Sequence, residues 1–312
     1  MKLRNLGQSG LLVSTVGLGC NNFGWRADLA QTKAIIHKAL DVGITFFDTA
    51  DSYGPSEEFI GETLGPRRPD VVLATKFSSP LDQSGMRQGA SRRYIMRAVE
   101  ASLGRLKTDW IDLYQLHWPD PKTPIEETLR ALDDLIKQGK VRYIGCSNLS
   151  AAQLVEAQWT ARHLGLNAFA SAQNEYSLLF RGIERELLPT AERYGAGILP
   201  YFPLANGLLT GRYKPNEPLP KDGRLADAPA FFDPYKASDK IATAQKLNEF
   251  AQRRGRTPIE LAMSWLASRP AVSSIIAGAS RPEQVEQNAR AADWELTQAD
   301  LAEIDAIAPV ST

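Results

Sequence analysis

Short apolar runs alternate with amphipathic helical patterns almost from one end of the chain to the other. That alternation constrains the fold more than any other feature. The strand-like runs fall at residues 16–19, 44–47, 71–75, 111–116, 141–145, 168–171, 197–201 and 273–276. Most are β-branched or aromatic and apolar throughout, as in parallel strands covered on both faces. The intervening helices have legible starts. Thr123-Pro124-Ile125-Glu126 reads as a capping box with proline in the first turn, and Ile125, Leu129, Leu132 and Ile136 follow on one face. Ser150 with Gln153, and Ser280 with Glu283, predict two more starts, with Leu154 and Ala161 inward in the first of these helices. A helix from about Arg92 turns Ile95, Val99 and Leu103 inward. Eight such strands alternating with helices predict an α/β chain closed into a (β/α)8 TIM barrel, not a doubly wound sheet.

The length of 312 residues fits one such barrel of about 250 residues with additions, so residues 1–312 are expected to form a single domain. The additions are an N-terminal β-hairpin over residues 3–13, a long irregular segment over 206–238 and a C-terminal tail. The hairpin, with Gly7 and Gly10 as turn residues, is expected to plug one end of the barrel. The long segment follows the seventh strand and is expected over the opposite mouth, where long loops are usually functional.

Charge and cysteine content narrow the partners. Thirty-six basic residues balance thirty-six acidic ones, which offers no long-range attraction for nucleic acid or an anionic membrane. No apolar run reaches bilayer length, and the opening residues lack a signal-peptide core. Cys20 and Cys146 make neither a disulfide framework nor a metal cluster. A cytoplasmic chain acting on a small molecule, with no metal, is the expectation, and the oligomeric state stays open.

In a parallel barrel, chemistry collects where strands end and βα loops begin. The second strand leads into Asp48 and Tyr53, the third ends in Lys76, and the fourth ends in His117. Each alone has a structural reading, as a turn former, a solvated amine or a buried imidazole. Together, at consecutive strand ends, they make a proton donor: an ammonium beside a phenol stabilises the phenolate, and a carboxylate holds that ammonium charged. The imidazole is placed to orient a substrate oxygen.

These segments resemble the aldo-keto reductase superfamily. The resemblance rests on the run around Asp48 and Tyr53, the strand ending in Lys76 and Leu116-His117-Trp118-Pro119. It extends through residues 139–148, 173–176 and 203–211, in the family's order and over essentially the whole chain. It implies NADP(H), with NAD(H) possible, bound without a Rossmann fingerprint; the chain contains no G-x-G-x-x-G that follows a strand and opens a helix. By motif, Ser147, Asn148 and Gln173 would hold the carboxamide and Tyr201 would stack on the nicotinamide. Gly19, Cys20 and Asn21 at the first strand end join the cofactor set. Phe202, Pro203, Leu204, Asn206, Gly207 and Arg212 would line the pyrophosphate path. Gly278, Ser280, Arg281, Gln284, Gln287 and Asn288 would surround the adenosine end. The helix start after Ser280, with the charge of Arg281, suits a 2′-phosphate and favours NADPH. Phe202, Asn206 and Gln287 depart from the family pattern, which has serine, a small residue and an acid there.

The activity implied is hydride transfer between nicotinamide and an aldehyde, ketone or alcohol, with Tyr53 as general acid/base. Asn22, Phe23, Trp25 and Trp118 are expected around the substrate, with Phe231 and Phe232 on the long segment walling the pocket or pinning the loop. Two other readings exist. One is a Schiff-base lyase using Lys76 as nucleophile. The other is a cofactor-sensing subunit, since the potassium-channel β-subunits look similar; those relatives tend to lack the fourth-strand histidine that His117 supplies here.

Overall fold

In the computed structural model, eight parallel strands close into a barrel. The structure describes residues 1–215, 217–220, 225 and 230–310. The side chains of Ala230 and Phe231 are outside that description, so the pocket role expected of Phe231 lies outside the described residues.

The chain begins with an antiparallel hairpin, β1 (Leu3–Asn5) and β2 (Leu12–Ser14). The barrel strands follow as β3 (Val16–Gly19), β4 (Phe46–Asp48), β5 (Val72–Phe77), β6 (Ile111–Leu116), β7 (Val141–Ser147), β8 (Ser171–Glu175), β9 (Gly197–Tyr201) and β10 (Ile275–Gly278), with β10 closing on β3. Helices α1 (Leu29–Asp41), α2 (Ser56–Leu64), α3 (Arg92–Leu106), α4 (Ile125–Lys137), α5 (Ala151–Leu164) and α6 (Leu187–Tyr194) connect β3 through β9. The last crossover carries α7 (Ser238–Arg253) and α8 (Pro258–Ala267), and the chain ends with α9 (Pro282–Arg290) and α10 (Gln298–Ile307).

Alternation along each strand divides two cores. Outward residues such as Phe47, Leu73, Tyr114, Ile144 and Ile198 pack with the helices. Inward residues Phe46, Ala74, Leu113, Leu199 and Ile276 form a second cluster with Leu6 and Val13 of the hairpin. The hairpin therefore plugs the barrel floor. Its turn requires glycine: Gly7 has φ +57°, and an added Cβ would lie 2.3 Å from the Gly195 carbonyl oxygen.

Several element starts differ from the sequence expectation, and side chains account for them. The sixth barrel strand begins only at Ser171, the last residue of the run at 168–171, because Gln158 of α5 clamps the Phe169 backbone, donating to its carbonyl at 2.9 Å and accepting its N–H at 3.2 Å. Beside β4, the Ser14 hydroxyl accepts from the N–H groups of both Thr45 and Phe46. The capping box at Thr123 does not form: α4 starts at Ile125, and the Thr123 hydroxyl donates to Asp120 instead. Ser280 likewise caps no helix, since α9 starts at Pro282 behind Arg281 and both Ser280 polar groups bond Gln284 Oε1. The capping box of Ser150 and Gln153 does form.

Candidate active site

The inward alternation that gives the barrel an apolar floor gives it a polar top. Two residues above Phe46 stands Asp48, two above Ala74 stands Lys76, and two above Leu113 stands Gln115. The buried Lys76 ammonium donates to Asp48 Oδ2 at 2.6 Å and to the Thr49 carbonyl at 3.0 Å. The second oxygen, Asp48 Oδ1, accepts from Gln115 at 3.0 Å and Gln173 at 2.8 Å. Three donors thus meet the carboxylate, and such additional hydrogen bonds make a buried ion pair tolerable.

Tyr53 and His117 stand just above this layer. Lys76 Nζ lies 5.2 Å from the Tyr53 ring centre, and the Tyr53 and His117 rings meet edge-on at 5.6 Å. Lys76 is the penultimate residue of β5, and His117 is the first residue beyond β6. Burial would lower the Lys76 value, but Asp48 and Tyr53 outweigh it and hold the ammonium above its ordinary range. For Tyr53 the balance differs from the simple expectation: burial raises it and Lys76 pulls it down, with the phenol left above its ordinary value of 10.0. The phenol therefore keeps its proton near neutral pH. Burial and the Lys76 charge push His117 down to about 3, so its imidazole is neutral. Its Nδ1 lies 3.0 Å from the Ser79 hydroxyl.

The backbone around the mouth is strained. Ser78, Asn148, Phe202, Ala205 and Asn206 have positive φ, and all five follow the ends of β5, β7 or β9. Such conformations cost on the order of 1–3 kcal/mol each, most for a bulky residue such as Phe202 at φ +54°.

The expected cofactor residues surround the same mouth, with differing degrees of engagement. Ser147 donates to the Gln173 carbonyl, and Asn148 donates to the His117 carbonyl while accepting from the Tyr201 hydroxyl at 2.9 Å. Gln173 spends its amide nitrogen on Asp48, which leaves its oxygen for a donor such as a carboxamide. Gly19 and Gly278 pair in register at the barrel rim. Asn21 and the buried Asn22 lie against Gly278. Cys20 is fully buried: its thiol turns toward the Leu18 carbonyl, its N–H donates to the Asp48 carbonyl and its own carbonyl accepts from Ser56. Asn206 is the informative residue: its amide is buried, and neither its oxygen nor its nitrogen has a partner. Two orphaned polar atoms in a strained loop are what a polar ligand along 202–207 would satisfy. A nicotinamide dinucleotide therefore fits this side of the mouth. Pro203, Leu204 and Gly207 share that loop, while Arg212 is exposed. At the far end Arg281 and Gln287 are exposed, Gln284 faces Ser280, and Asn288 is buried.

Of the four expected substrate-pocket residues, Trp25 and Trp118 are open to solvent, with Trp118 stacked on His117. Phe23 is packed in the core, and Asn22 donates to the Ala279 carbonyl, so both hold the first loop in place. Phe232 packs with Phe202 and Tyr235, and the Tyr235 hydroxyl donates to Glu175, which ties the returning end of the long segment to the barrel.

Sequence reading passed over Gln115, Ser79 and Asp51. Gln115 had a signal, because it sits two residues from Leu113 on the inward face of an otherwise apolar strand. Asp51, two residues before Tyr53, accepts from the Tyr94 hydroxyl at 3.2 Å while its other oxygen has no partner. Burial and nearby Glu57 raise it to about 7.

Among the described residues, no group of three or more His, Cys, Asp and Glu is arranged to hold a metal ion, and no helix is long and apolar enough to cross a membrane. The profile of the Aldo/keto reductase family matches residues 15–309. The chain belongs to that family, an oxidoreductase family that generally uses a nicotinamide cofactor. It is 38% identical over 311 residues to a probable voltage-gated potassium channel subunit beta of Arabidopsis thaliana, spanning 94% of this chain and 92% of that relative. It is 33% identical to the L-glyceraldehyde 3-phosphate reductase of Escherichia coli, over 98% of this chain and 92% of the relative. It is also 34% identical to the aldo-keto reductase YhdN of Bacillus subtilis, over 98% and 93% respectively.

Proposed function

We propose that residues 1–312 act as one barrel domain that reduces aldehydes or ketones with NADP(H), or runs the reverse oxidation. The observation that carries the reading is the buried Lys76–Asp48 pair under Tyr53, with the neutral His117 ring 5.6 Å away across the mouth. When bound, the nicotinamide supplies or accepts the hydride. Ser147, Asn148 and Gln173 would hold its carboxamide, Tyr201 its ring face, the loop 202–207 its pyrophosphate and Arg281 a 2′-phosphate.

Tyr53 donates the proton that the carbonyl oxygen needs as it becomes an alcohol. Lys76 stabilises the phenolate that results, and Asp48 keeps Lys76 charged and fixed. His117 cannot be the acid, because at about 3 its ring holds no extra proton near neutral pH. It donates a hydrogen bond that orients the oxygen. Trp25 and Trp118 offer flat apolar surfaces, which favours aromatic or medium-sized apolar carbonyls.

Tyr53→Phe tests the assignment. Loss of a general acid is worth about 10²- to 10⁴-fold, so carbonyl reduction should fall by that range while NADPH binding, followed by its fluorescence, is retained. Near-native turnover in the variant would defeat the proposal. The plant relative's name favours a second reading, a cofactor-binding regulatory subunit. It requires NADPH binding with no turnover across a carbonyl panel that includes 4-nitrobenzaldehyde. Borohydride trapping on Lys76 would instead favour the lyase, but an amine engaged by Asp48 and kept protonated is a poor nucleophile.

A further inference from the structure

We propose that Ser79 is a positioning residue that locks His117 in the tautomer carrying its proton on Nε2, by donating its own hydroxyl hydrogen to Nδ1. The inference rests on the reading of His117 as the group that meets the substrate oxygen. A carbonyl oxygen can only accept, so the ring nitrogen facing it must carry a proton. In a neutral imidazole the other nitrogen is then an acceptor and needs a donor.

The geometry supplies that donor and little choice about it. Ser79 Oγ lies 3.0 Å from His117 Nδ1, and both side chains are buried. Among the described residues the Ser79 hydroxyl meets no other acceptor, so if Nδ1 carried the proton the hydroxyl hydrogen would be left without one. A carboxylate or backbone carbonyl at this position would hold the proton on Nδ1 and turn the Nε2 lone pair toward the substrate. Burial, and with it the Lys76 charge, disfavours a doubly protonated ring, which would escape the choice.

The preceding residue fixes Trp118, the next residue along from His117. Ser78 Oγ donates to the Trp118 carbonyl at 3.1 Å and accepts from the Trp118 N–H at 3.0 Å. The His117 backbone is held in turn by the Phe77 carbonyl at 2.9 Å and the Asn148 amide at 3.0 Å. Ser78 adopts φ +97° to make these contacts, a conformation serine rarely takes. The Ser78–Ser79 pair thus clamps the loop after β6 by its backbone and the imidazole by its Nδ1.

The chain has three histidines, and His37 and His163 are exposed, so ¹⁵N-histidine spectra resolve His117. In the wild-type chain, with and without NADP⁺, the expected His117 spectrum shows an unprotonated Nδ1 and a protonated Nε2, unchanged from pH 5 to 8. Ser79→Ala should lose the single tautomer and lower kcat/KM for the carbonyl about five- to tenfold, the value of one hydrogen bond, with the NADPH dissociation constant unchanged. Ser79→Thr, which keeps the hydroxyl, should restore both. A wild-type His117 with its proton on Nδ1, or a Ser79→Ala chain with the wild-type tautomer, overturns the proposal. Chains that show the expected tautomers but reduce no carbonyl would refute the reductase reading and leave the Ser79 assignment standing.

Discussion

Asp51→Asn should stabilise the protein, and by an amount that grows with pH. Asp51 is buried beside Glu57, with one carboxyl oxygen unpartnered, and is raised from 3.8 to about 7. The groups around it are Glu57, Tyr94, Arg105 and Tyr114; Arg105 is drawn off by its ion pair with Glu57. For a carboxyl whose folded value is raised, the native state binds the proton more tightly than the unfolded chain. Its stabilising contribution is therefore whole below about pH 4, lost progressively up to about pH 7 and constant above that. A gap of about 3 pH units corresponds to about 4 kcal/mol. Asparagine is uncharged throughout and still accepts from Tyr94. The variant minus wild-type stability should then be about 1 kcal/mol at pH 4.5, about 3 at pH 6 and about 4 at pH 8. Urea unfolding followed by tryptophan fluorescence measures it, under conditions where fluorescence and circular dichroism transitions coincide and slopes match. Titrating groups that are not coupled to Asp51 cancel in the difference. A difference that stays flat within roughly 0.5 kcal/mol from pH 4.5 to 8 would refute a carboxyl that ionises at a cost in this pocket.

Three further outcomes are expected. Lys76→Met leaves Asp48 buried without its counter-charge and should destabilise by roughly 3–5 kcal/mol; adding Asp48→Asn should recover most of the melting temperature but none of the turnover. Gly7→Ala forces a Cβ to 2.3 Å from the Gly195 carbonyl oxygen at φ +57°, so the melting temperature should fall by several degrees, as about 2 kcal/mol does in a domain of this size, with kinetic constants at 25 °C unchanged. Arg281→Ala should weaken NADPH about tenfold, the worth of one charge-assisted hydrogen bond, and leave NADH binding unaltered in a parallel titration; an equal loss for both cofactors would show that Arg281 does not meet a 2′-phosphate.

The barrel and its polar layer were legible because both follow from period-two alternation, a local property of each strand. Asp48 and Lys76 could be placed from sequence, since a charged residue at the end of an apolar run has only the barrel mouth to occupy. The starts of β8 and α9 were not legible, for the opposite reason. Gln158 takes over the Phe169 backbone from a helix away, and Gln284 takes the Ser280 groups that would have capped a helix. A capping pattern states which bonds are possible locally, not which partner folding delivers first. Ser79 was invisible on the same grounds: only the approach of two strand ends brings its hydroxyl to His117.

The polar layer also accounts for how a site with so many ionisable groups would hold its proton where the proposed reduction needs it. Asp48 and Lys76 cancel each other's charge at 2.6 Å, and the two glutamines that share Asp48 Oδ1 bring donors without bringing charge. A second cation in place of Gln115 would favour the Tyr53 phenolate and leave no acid for reduction; a carboxylate there would repel Asp48 and strip Lys76 of its purpose. In the proposed reaction His117 stays neutral and Tyr53 gives up its proton, leaving a phenolate beside an ammonium already in place. Neutral amides are thus as necessary to the site as its ion pair. The inward face of β6, with Leu113 below and Gln115 above, is where this chain writes that requirement.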